Sequence, residues 1–464
     1  MAAAVAAAEG GLRVELFEQT KSLGGRAGSF RDGRTGLTVD FCQHVSMGCC
    51  TMLADFCRRI DAADCFRRDR RLHFFSPEGK QHDFAAAAWL PAPWHLLPGI
   101  LRLKYLTLGE RWGIVRALRR LTRRAADGRP DETVGAWLRR NGQSQRAIDR
   151  FWSVVLVSAL SETIDRASLS AARKVFLDGF LASRRAYELA VPTVPLGEIF
   201  DWRVRTALAK RNVAVHLGTP IRRIEGDAHR AAAIVLPDGT RRAFDFVVAA
   251  VPWHRVGSLF SEAMLSAMPA LEHVGEIRPA PITAVHLWFD CPITRLPHAV
   301  LVGKLGQWMF RGNTSQHKIA SAEADSRPPA ERMILYTGKS IPQWSCQVVI
   351  SASHGLLGRR REDIVAKVCD ELKAIWPGAS YARLLHWRVM THPSAVFSCV
   401  PDLDRLRPPQ RTPLENLMLA GDWTATGWPA TMEGAVRSGY LAAEAVLHTK
   451  PRPLVAPAQQ HKAK

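Results

Sequence analysis

Apolar runs near both ends of the chain predict the strands of an α/β sheet. An alanine-rich helix over residues 1–8 leads into a strand over residues 12–17, which ends at Glu18. Toward the C-terminus, residues 417–420 predict a second buried strand, followed by a helix over about residues 431–447. Helix, tight turn, strand and acidic residue in this order are typical of the second half of a dinucleotide-binding βαβ unit.

The middle of the chain alternates between helical and strand patterns. Residues 83–200 are mostly helical in periodicity, and Pro192 and Pro195 mark a turn near their end. Further predicted helices cover residues 101–125, 147–164 and 196–210, and another ends before Pro377. Predicted strands cover residues 213–216, 221–225, 246–251, 282–289 and 347–351, with a hairpin turn at Asp238-Gly239.

These elements predict an α/β fold in which two domains are interleaved along the chain. The dinucleotide-binding domain is built from residues 1–82, 201–260 and 411–449. The second, an α+β substrate domain, has a helical part over residues 83–200 and a sheet part over residues 261–410. The proline-rich end, residues 450–464, is predicted to be disordered.

The first candidate site lies at and after the N-terminal strand. An acidic side chain at the end of such a strand, here Glu18, accepts hydrogen bonds from ribose hydroxyl groups, although an ordinary exposed glutamate also occurs there. The loop that follows strengthens the interpretation. Gly24 and Gly25 let the backbone approach a pyrophosphate closely, and Arg26 offers a planar donor fork to phosphate oxygens. A plain glycine turn with a solvated arginine does not explain why the loop comes only a few residues after the acidic residue.

The C-terminal strand, turn and helix form the most specific feature of the chain. Gly421 allows close approach of a ligand, and Asp422 can hydrogen-bond a ribityl chain or the nearby pyrophosphate. The helix that begins near Thr431 offers free N–H groups and the positive end of its dipole, which suit the O2 side of a reduced flavin. An ordinary strand–turn–helix with incidental glycines does not account for both motifs together.

Both motifs carry a resemblance to one family. The segments LFEQTKSLGGRAGSF and AGDWTATGWPATMEGAVRSG resemble the FAD-dependent amine oxidase and phytoene desaturase superfamily, and within it the hydroxysqualene dehydroxylases. The likeness continues through DFCQHVSMGCC, FLASRRAYELAVPTVPLGEIF, VVAAVPWHRV and VHLWFDCPI, almost from end to end. Trp423 and Trp428 in the C-terminal segment look characteristic of the subfamily.

The resemblance implies a glutathione-reductase-type domain with FAD as cofactor and a long-chain isoprenoid as substrate. The implied reaction replaces the hydroxyl group of hydroxysqualene with a hydride from reduced flavin, giving squalene for hopanoid synthesis. Carried over to this chain, the resemblance also implies that Ile221 faces the adenine through its backbone. Asp422 and Met432 would hold the ribityl and flavin ends. The electron donor is not specified.

One departure from the family pattern lies at the N-terminus. Counting back from Glu18, the family's first strand and its GxGxxG loop would end immediately before Met1. An open sheet without its central strand would expose backbone and apolar surface. We therefore expect a misplaced start or a truncated sequence. A chain that began here would lack the main pyrophosphate loop and would bind FAD less tightly.

Loss of a hydroxyl group requires a proton donor or a stabilised allylic cation. His44 and Asp40 are the candidate proton donors, and Trp428 is a candidate wall of the cavity that can stabilise positive charge. The alternative for His44 is a structural histidine that satisfies backbone groups.

Composition adds hypotheses about partners. The formal charge of +20 is spread along the chain, mostly as arginine, and fits coding bias or attraction to an anionic membrane better than nucleic-acid binding. Within residues 94–125 an apolar patch precedes a run of arginines: Arg111, Arg116, Arg119, Arg120, Arg123 and Arg124. That pattern fits either an interfacial element or a core-packed helix with a solvated basic face.

The compartment follows from the cysteines and from hydropathy. The nine cysteines form no CxxC pair, which argues against a disulfide framework or a metal site and favours the cytoplasm. No run of about eighteen uncharged apolar residues occurs, so no transmembrane helix is expected. Peripheral association with the inner face of the cytoplasmic membrane is a further expectation.

Three alternatives remain open. A carotenoid-type desaturase or isomerase would use the same fold with hydride flowing to FAD. An amine oxidase is disfavoured because its substrate cage typically uses paired tyrosines, and this chain has only five tyrosines. A flavin-free relic with a binding role only is the non-enzymatic alternative.

Overall fold

The computed structural model describes residues 1–123, 131–312 and 344–448. The tail predicted over residues 450–464 and the last two residues of the helix predicted over 101–125 lie outside the described residues. In chain order the strands are β1 (Glu15–Phe17), β2 (Ser29–Arg31), β3 (Thr38–Asp40), β4 (Ser46–Met47), β5 (Phe66–Asp69), β6 (Leu72–Phe75), β7 (Gln81–Phe84), β8 (Leu189–Pro192), β9 (Ala214–His216), β10 (Arg223–Gly226), β11 (Ala231–Val235), β12 (Arg241–Arg242), β13 (Val247–Ala249), β14 (Pro279–Phe289), β15 (His298–Leu301), β16 (Trp308–Arg311), β17 (Trp344–Ile350), β18 (Leu384–Phe397) and β19 (Leu417–Leu419). The helices are α1 (Ala2–Glu9), α2 (Thr51–Arg59), α3 (Leu97–Leu101), α4 (Leu108–Arg123), α5 (Val134–Arg140), α6 (Gln145–Ala147), α7 (Ser153–Leu160), α8 (Leu169–Phe176), α9 (Val204–Ala209), α10 (Trp253–Val256), α11 (Glu262–Ser266), α12 (Arg361–Ile375), α13 (Gly378–Tyr381) and α14 (Met432–Val446).

Two parallel strand pairs carry the predicted site motifs. β1 pairs with β9, and β13 pairs with β19. The paired segments are 199 residues apart in the first pair (Glu15 with Ala214) and 170 in the second (Val247 with Leu417), as an interleaved α/β fold requires. Next to them, β10, β11 and β12 form an antiparallel sheet, and the predicted turn at Asp238-Gly239 joins its last two strands. Gly239 has φ +88°, a left-handed conformation that favours glycine.

Helices α1, α2, α9 and α14 form one apolar core with β1 and β9. Within it α1 and α14 approach so closely that a Cβ on Gly439 would lie 2.8 Å from the Ala3 nitrogen. The buried Glu433 of α14 caps α2: its Oε2 accepts from the Leu53 N–H at 2.8 Å, and its Oε1 from the Met52 N–H at 3.2 Å. A carboxylate at a helix N-terminus also interacts favourably with the helix dipole, so this contact fixes α2 against α14.

The larger sheet has seven strands in the order β18-β14-β17-β16-β15-β6-β7. Alternate residues of β14 face opposite sides of this sheet. Leu287 and Phe289 pack with apolar residues of α12, whereas His286 lies against Phe30 of β2 on the other face. The predicted boundary at residue 82 falls within β7, which with β6 belongs to this sheet.

The helical part corrects one predicted element. The helix predicted over residues 101–125 begins later than predicted, because α3 ends at Leu101 and α4 begins only at Leu108. Thr107 starts the second helix with a capping box: the Glu110 N–H donates to Thr107 Oγ1, and the Thr107 N–H donates to Glu110 Oε2. This Thr-x-x-Glu signal was readable in the sequence. The helix predicted over 147–164 is continuous from Gln145 to Leu160 and contains a π-helical turn at Ile148–Trp152 before α7.

The predicted α/β class is confirmed by this mixture of parallel strand pairs, covering helices and a mixed sheet. In the part of the chain that the structure describes, every helix falls short of the length and apolarity that crossing a bilayer would take.

Candidate functional site

Glu18 lies at the carboxyl end of β1, as predicted. Its backbone N–H donates to the His216 carbonyl at 2.9 Å, and its own carbonyl accepts from the Thr219 N–H at 2.8 Å. The second contact brings the chain just before Ile221 beside Glu18. Glu18 Oε1 accepts from the N–H and hydroxyl of Thr20, while Oε2 has no hydrogen bond within the described residues. One carboxylate oxygen therefore stays available to a ligand.

The glycine loop has the backbone that close approach to a ligand requires. Gly24 and Gly25 have φ +100° and +55°, and the Ala27 N–H closes the turn on the Gly24 carbonyl at 3.0 Å. At Gly25, a Cβ would meet nothing within 4 Å among the described atoms, so its outer side is open space.

Arg26 joins the two predicted motifs directly. Its Nη2 lies 2.8 Å from Asp422 Oδ2, and its Nη1 donates to the Ala395 carbonyl at 2.5 Å. The Asp422 side chain is 6% exposed, whereas the Arg26 side chain is 38% exposed and can still reach a ligand. Residues 396 positions apart in the sequence are thus in direct contact.

The C-terminal loop turns sharply before α14. Gly421 has φ +144°, and a Cβ there would lie 2.4 Å from Trp423 Nε1, so a larger residue has no room. The buried Trp423 indole donates to the Val251 carbonyl at 2.8 Å and ties the loop to the end of β13. Thr431 is the N-cap of α14, since its Oγ1 accepts from the Gly434 N–H at 3.1 Å. Met432 is half-buried in the core of α1, α2, α9 and α14.

Sequence reasoning missed Arg407, which organises this loop. The guanidinium is buried and stacks on the Phe397 ring at 5.0 Å. It donates to the carbonyls of Asp422 (3.0 Å), Trp423 (3.4 Å), Thr424 (3.1 Å) and Trp428 (2.8 Å), and to Thr426 Oγ1 (3.0 Å). No local motif marks Arg407, because its role depends entirely on where the loop folds.

The two candidate proton donors have different environments. The His44 Nδ1–H donates to the Cys42 carbonyl at 2.8 Å, and burial lowers the pKa of this histidine. Asp40 Oδ1 accepts from Ser29 Oγ at 2.6 Å and from the Leu196 N–H at 2.8 Å. Burial raises the pKa of Asp40 to about 6 against these two hydrogen bonds. The neutral histidine is thus an acceptor through Nε2, while the carboxyl group can hold a proton.

The three predicted catalytic residues do not share one cavity. Asp40 lines a polar cavity with the buried His286 and Gln347, and Trp428 lines another with Lys174. Lys174 Nζ lies 4.7 Å from the Trp428 ring centroid, a cation–π contact. Trp428 thus already faces a positive charge.

An apolar cavity of about 240 Å³ lies in the helical part. Aromatic and aliphatic side chains of β6, β7, α3, α4, α7 and α8 line it, including Phe74, Phe84, Ile100, Leu118, Phe151 and Phe176. The exposed Arg119, Thr122 and Arg123 stand at its mouth. Helix α8 links this cavity to the loop before α14, because Phe176 lines the cavity and Lys174 contacts Trp428.

The residues present fit a flavin adenine dinucleotide. An open glycine turn, an accessible Arg26 and a free oxygen of Glu18 supply contacts for pyrophosphate and ribose. The start of α14, a helix of fifteen residues, supplies free N–H groups. Within the described ranges no group of three His, Cys, Asp or Glu side chains could hold a metal ion. Fold and site together define a dinucleotide-binding α/β protein.

Comparison with known proteins narrows this class. The chain matches the flavin containing amine oxidoreductases over residues 1–447 and belongs to that family. It is 26% identical over 458 residues to a hydroxysqualene dehydroxylase of Sinorhizobium fredii, covering 96% of this chain and 95% of the relative. A 15-cis-phytoene desaturase of Synechococcus elongatus is 28% identical over 207 residues, 44% of this chain and 40% of that protein. The solved structure of an oxidoreductase from Methanosarcina mazei aligns with a TM-score of 0.68 at 17% identity, covering 96% of this chain and 97% of that one.

Family membership confirms the predicted FAD cofactor, the FAD-binding Rossmann-like fold and an oxidoreductase activity. The resemblance to hydroxysqualene dehydroxylases is confirmed over nearly the whole chain. The alternative of a flavin-free binding protein is not retained.

Proposed function

We propose that this enzyme reduces hydroxysqualene to squalene, as part of squalene and hopanoid synthesis. The supporting observation is the likeness to the hydroxysqualene dehydroxylase, which is 26% identical over 96% of this chain, whereas the carotenoid desaturases that match 95–97% of the chain are 23–24% identical. The overall change is R–OH + H⁺ + H⁻ → R–H + H₂O, so the enzyme needs a hydride, a proton and a dry site for an apolar chain.

The apolar cavity is the proposed binding site for the isoprenoid chain. Transfer of a hydrocarbon chain from water to such a lining is favourable by about 25 cal/mol per Å² of apolar surface buried. The aromatic side chains of Phe74, Phe84 and Phe176 provide this surface and exclude water. From Phe176 the isoprenoid would continue along α8 toward Trp428, whose ring would form part of the wall.

Glu18, Gly24, Gly25 and Arg26 are proposed to hold the ribose and pyrophosphate of the cofactor, and Ile221 the adenine. Gly421, Asp422, Thr431 and Met432 are proposed to hold the ribityl and flavin end. When bound and reduced, FAD supplies the hydride. The ion pair of Arg26 with Asp422 supports a single cofactor site, because it brings the residues proposed for the pyrophosphate into contact with those proposed for the ribityl chain.

Asp40 is the better of the two proposed proton donors. With a pKa of about 6 it carries its proton in about a tenth of molecules at pH 7. His44 donates its only neutral-form N–H to the Cys42 carbonyl, so it can orient the Asp40–His44 loop but holds no spare proton. Trp428 is proposed to form part of the wall of the substrate site. All nine cysteines lie in the described ranges as free thiols, which supports a cytoplasmic location.

Anaerobic turnover tests the proposal. The full chain is loaded with FAD, reduced with dithionite and incubated with hydroxysqualene, and the products are analysed by mass spectrometry. We expect squalene from the wild type. Asp40→Asn keeps both hydrogen-bond acceptor contacts but cannot deliver a proton, so we expect turnover to fall by about two orders of magnitude. Untouched hydroxysqualene would contradict the proposal.

A carotenoid-type desaturase is the second candidate, favoured by the phytoene desaturase among the relatives. The same preparation with oxidised FAD and phytoene distinguishes it. Desaturation of phytoene without reduction of hydroxysqualene would select this candidate. A control without phytoene should give no desaturated product in either case.

A further inference from the structure

An exposed apolar and basic surface surrounds the mouth of the apolar cavity. We call it the rim and define it by Trp94, Leu108, Trp112, Arg116, Arg119 and Arg123. Leu108, Trp112 and Trp94 are 67%, 52% and 48% exposed, and Trp89, in the loop that leads to Trp94, is 77% exposed. Large apolar side chains are rarely left this accessible in a group.

Helix α4 presents most of the rim as one stripe. Leu108, Trp112, Arg116, Arg119 and Arg123 recur every three or four residues and therefore share a helix face. The opposite face is core, where Ile114 and Leu121 are fully buried. A core-packed helix with a merely solvated outer face explains the buried stripe and the arginines. It does not explain a tryptophan and a leucine pointing into solvent.

The charge of this surface is one-sided. Arg102, Lys104, Arg116, Arg119 and Arg123 are exposed and form no ion pair within the ranges that the structure describes. The nearby carboxylate, Glu110, is already engaged by Ser144 and by Arg146 at 2.9 Å. Arg120 differs from its neighbours, because it donates to Asn141 Oδ1 at 2.8 Å.

We propose that the rim docks on an anionic lipid bilayer, so that the apolar cavity opens into the membrane. Tryptophan and leucine side chains favour the interface between headgroups and acyl chains, and unpaired arginines are attracted to anionic headgroups. Because Trp94, Arg119 and Arg123 line the cavity itself, an apolar molecule leaving the bilayer enters without crossing water. The passage of substrate rests on the proposed function, whereas binding to the bilayer does not.

Vesicle sedimentation of the full chain tests the docking. Vesicles of phosphatidylcholine alone are compared with vesicles in which a third of the lipid is phosphatidylglycerol. We expect wild-type protein to sediment with the anionic vesicles and release at high salt. Each basic residue near an anionic surface contributes about 1 kcal/mol, or about fivefold, so Arg116→Glu/Arg119→Glu should weaken binding at least about 25-fold. The matched control is Arg359→Glu/Arg360→Glu, two exposed arginines just before α12, which should bind as the wild type does.

A second variant separates lipid docking from a general charge effect. Trp112→Ser leaves the charge unchanged and lies outside the cavity lining, and we expect it to weaken vesicle binding as well. With substrate embedded in anionic vesicles its turnover should fall, while with detergent-dispersed substrate it should match the wild type. Wild-type protein that stays in the supernatant with anionic vesicles would overturn the proposal, as would equal binding by all variants. Vesicle binding without any squalene formation would instead reject the proposed reaction and leave the docking supported.

Discussion

Replacing Arg407 by alanine tests whether one buried side chain sets the shape of the loop before α14, which we propose to hold the flavin. Three N–H groups of Arg407 reach four backbone carbonyls and one hydroxyl between residues 422 and 428. A hydrogen bond from a charged donor contributes about 1.5 kcal/mol or more, so losing three donors should lower the free energy of unfolding by about 4–5 kcal/mol. Arg407→Lys keeps the charge but not the fork, and should lose roughly half of that.

The measurement combines urea unfolding, followed by tryptophan fluorescence, with titration of FAD. We expect Arg407→Ala to bind FAD at least about tenfold more weakly, equivalent to about 1.4 kcal/mol, because Asp422 belongs to the loop that it holds. Arg405→Ala is the matched control, since that side chain is 78% exposed and contributes at most about 1 kcal/mol through its surface ion pair. Equal stability and equal FAD affinity in the two variants would refute the reasoning.

Three further predictions concern the same elements. Arg26→Gln and Asp422→Asn should each weaken FAD binding by about tenfold or more, measured by fluorescence titration, and binding equal to wild type would contradict the proposed role of this ion pair in holding FAD. Gly439→Ala should lower the unfolding free energy by about 1–3 kcal/mol because its Cβ meets the α1 backbone, whereas Gly109→Ala on α4 has free space and should be neutral or stabilising. Because the folded pKa of Asp40, about 6, lies above its ordinary 3.8, the folded state binds this proton more tightly and loses stability as pH rises from about 4 to 6. Asp40→Asn should therefore gain stability relative to wild type by about 2–3 kcal/mol between pH 4 and pH 7, and a difference that does not vary with pH would contradict the buried-carboxyl interpretation.

Local signals were strong where a motif is contiguous. The strand ending at Glu18, the glycine turn after it and the Gly421-Asp422 turn before α14 are each complete within a few residues. Their backbone requires only glycine at positive φ and a capping threonine, Thr431. The residue types at those positions were therefore enough to predict the turns and the start of α14. The capping box at Thr107 was equally local, and it marks the true start of the helix that was predicted from residue 101.

What the sequence alone determined, then, is the α/β class, the FAD motifs and the apolar and basic character of α4. Only the tertiary structure decided that Arg26 meets Asp422, that Arg407 holds the loop and that Glu433 caps α2. The Arg26–Asp422 and Glu433–Leu53 contacts depend on chain topology, which brings distant segments together. The Arg407 contacts are made to backbone carbonyls, which any residue could supply. Backbone carbonyls carry no sequence signature, and proximity across 396 positions follows from strand order rather than from local pattern.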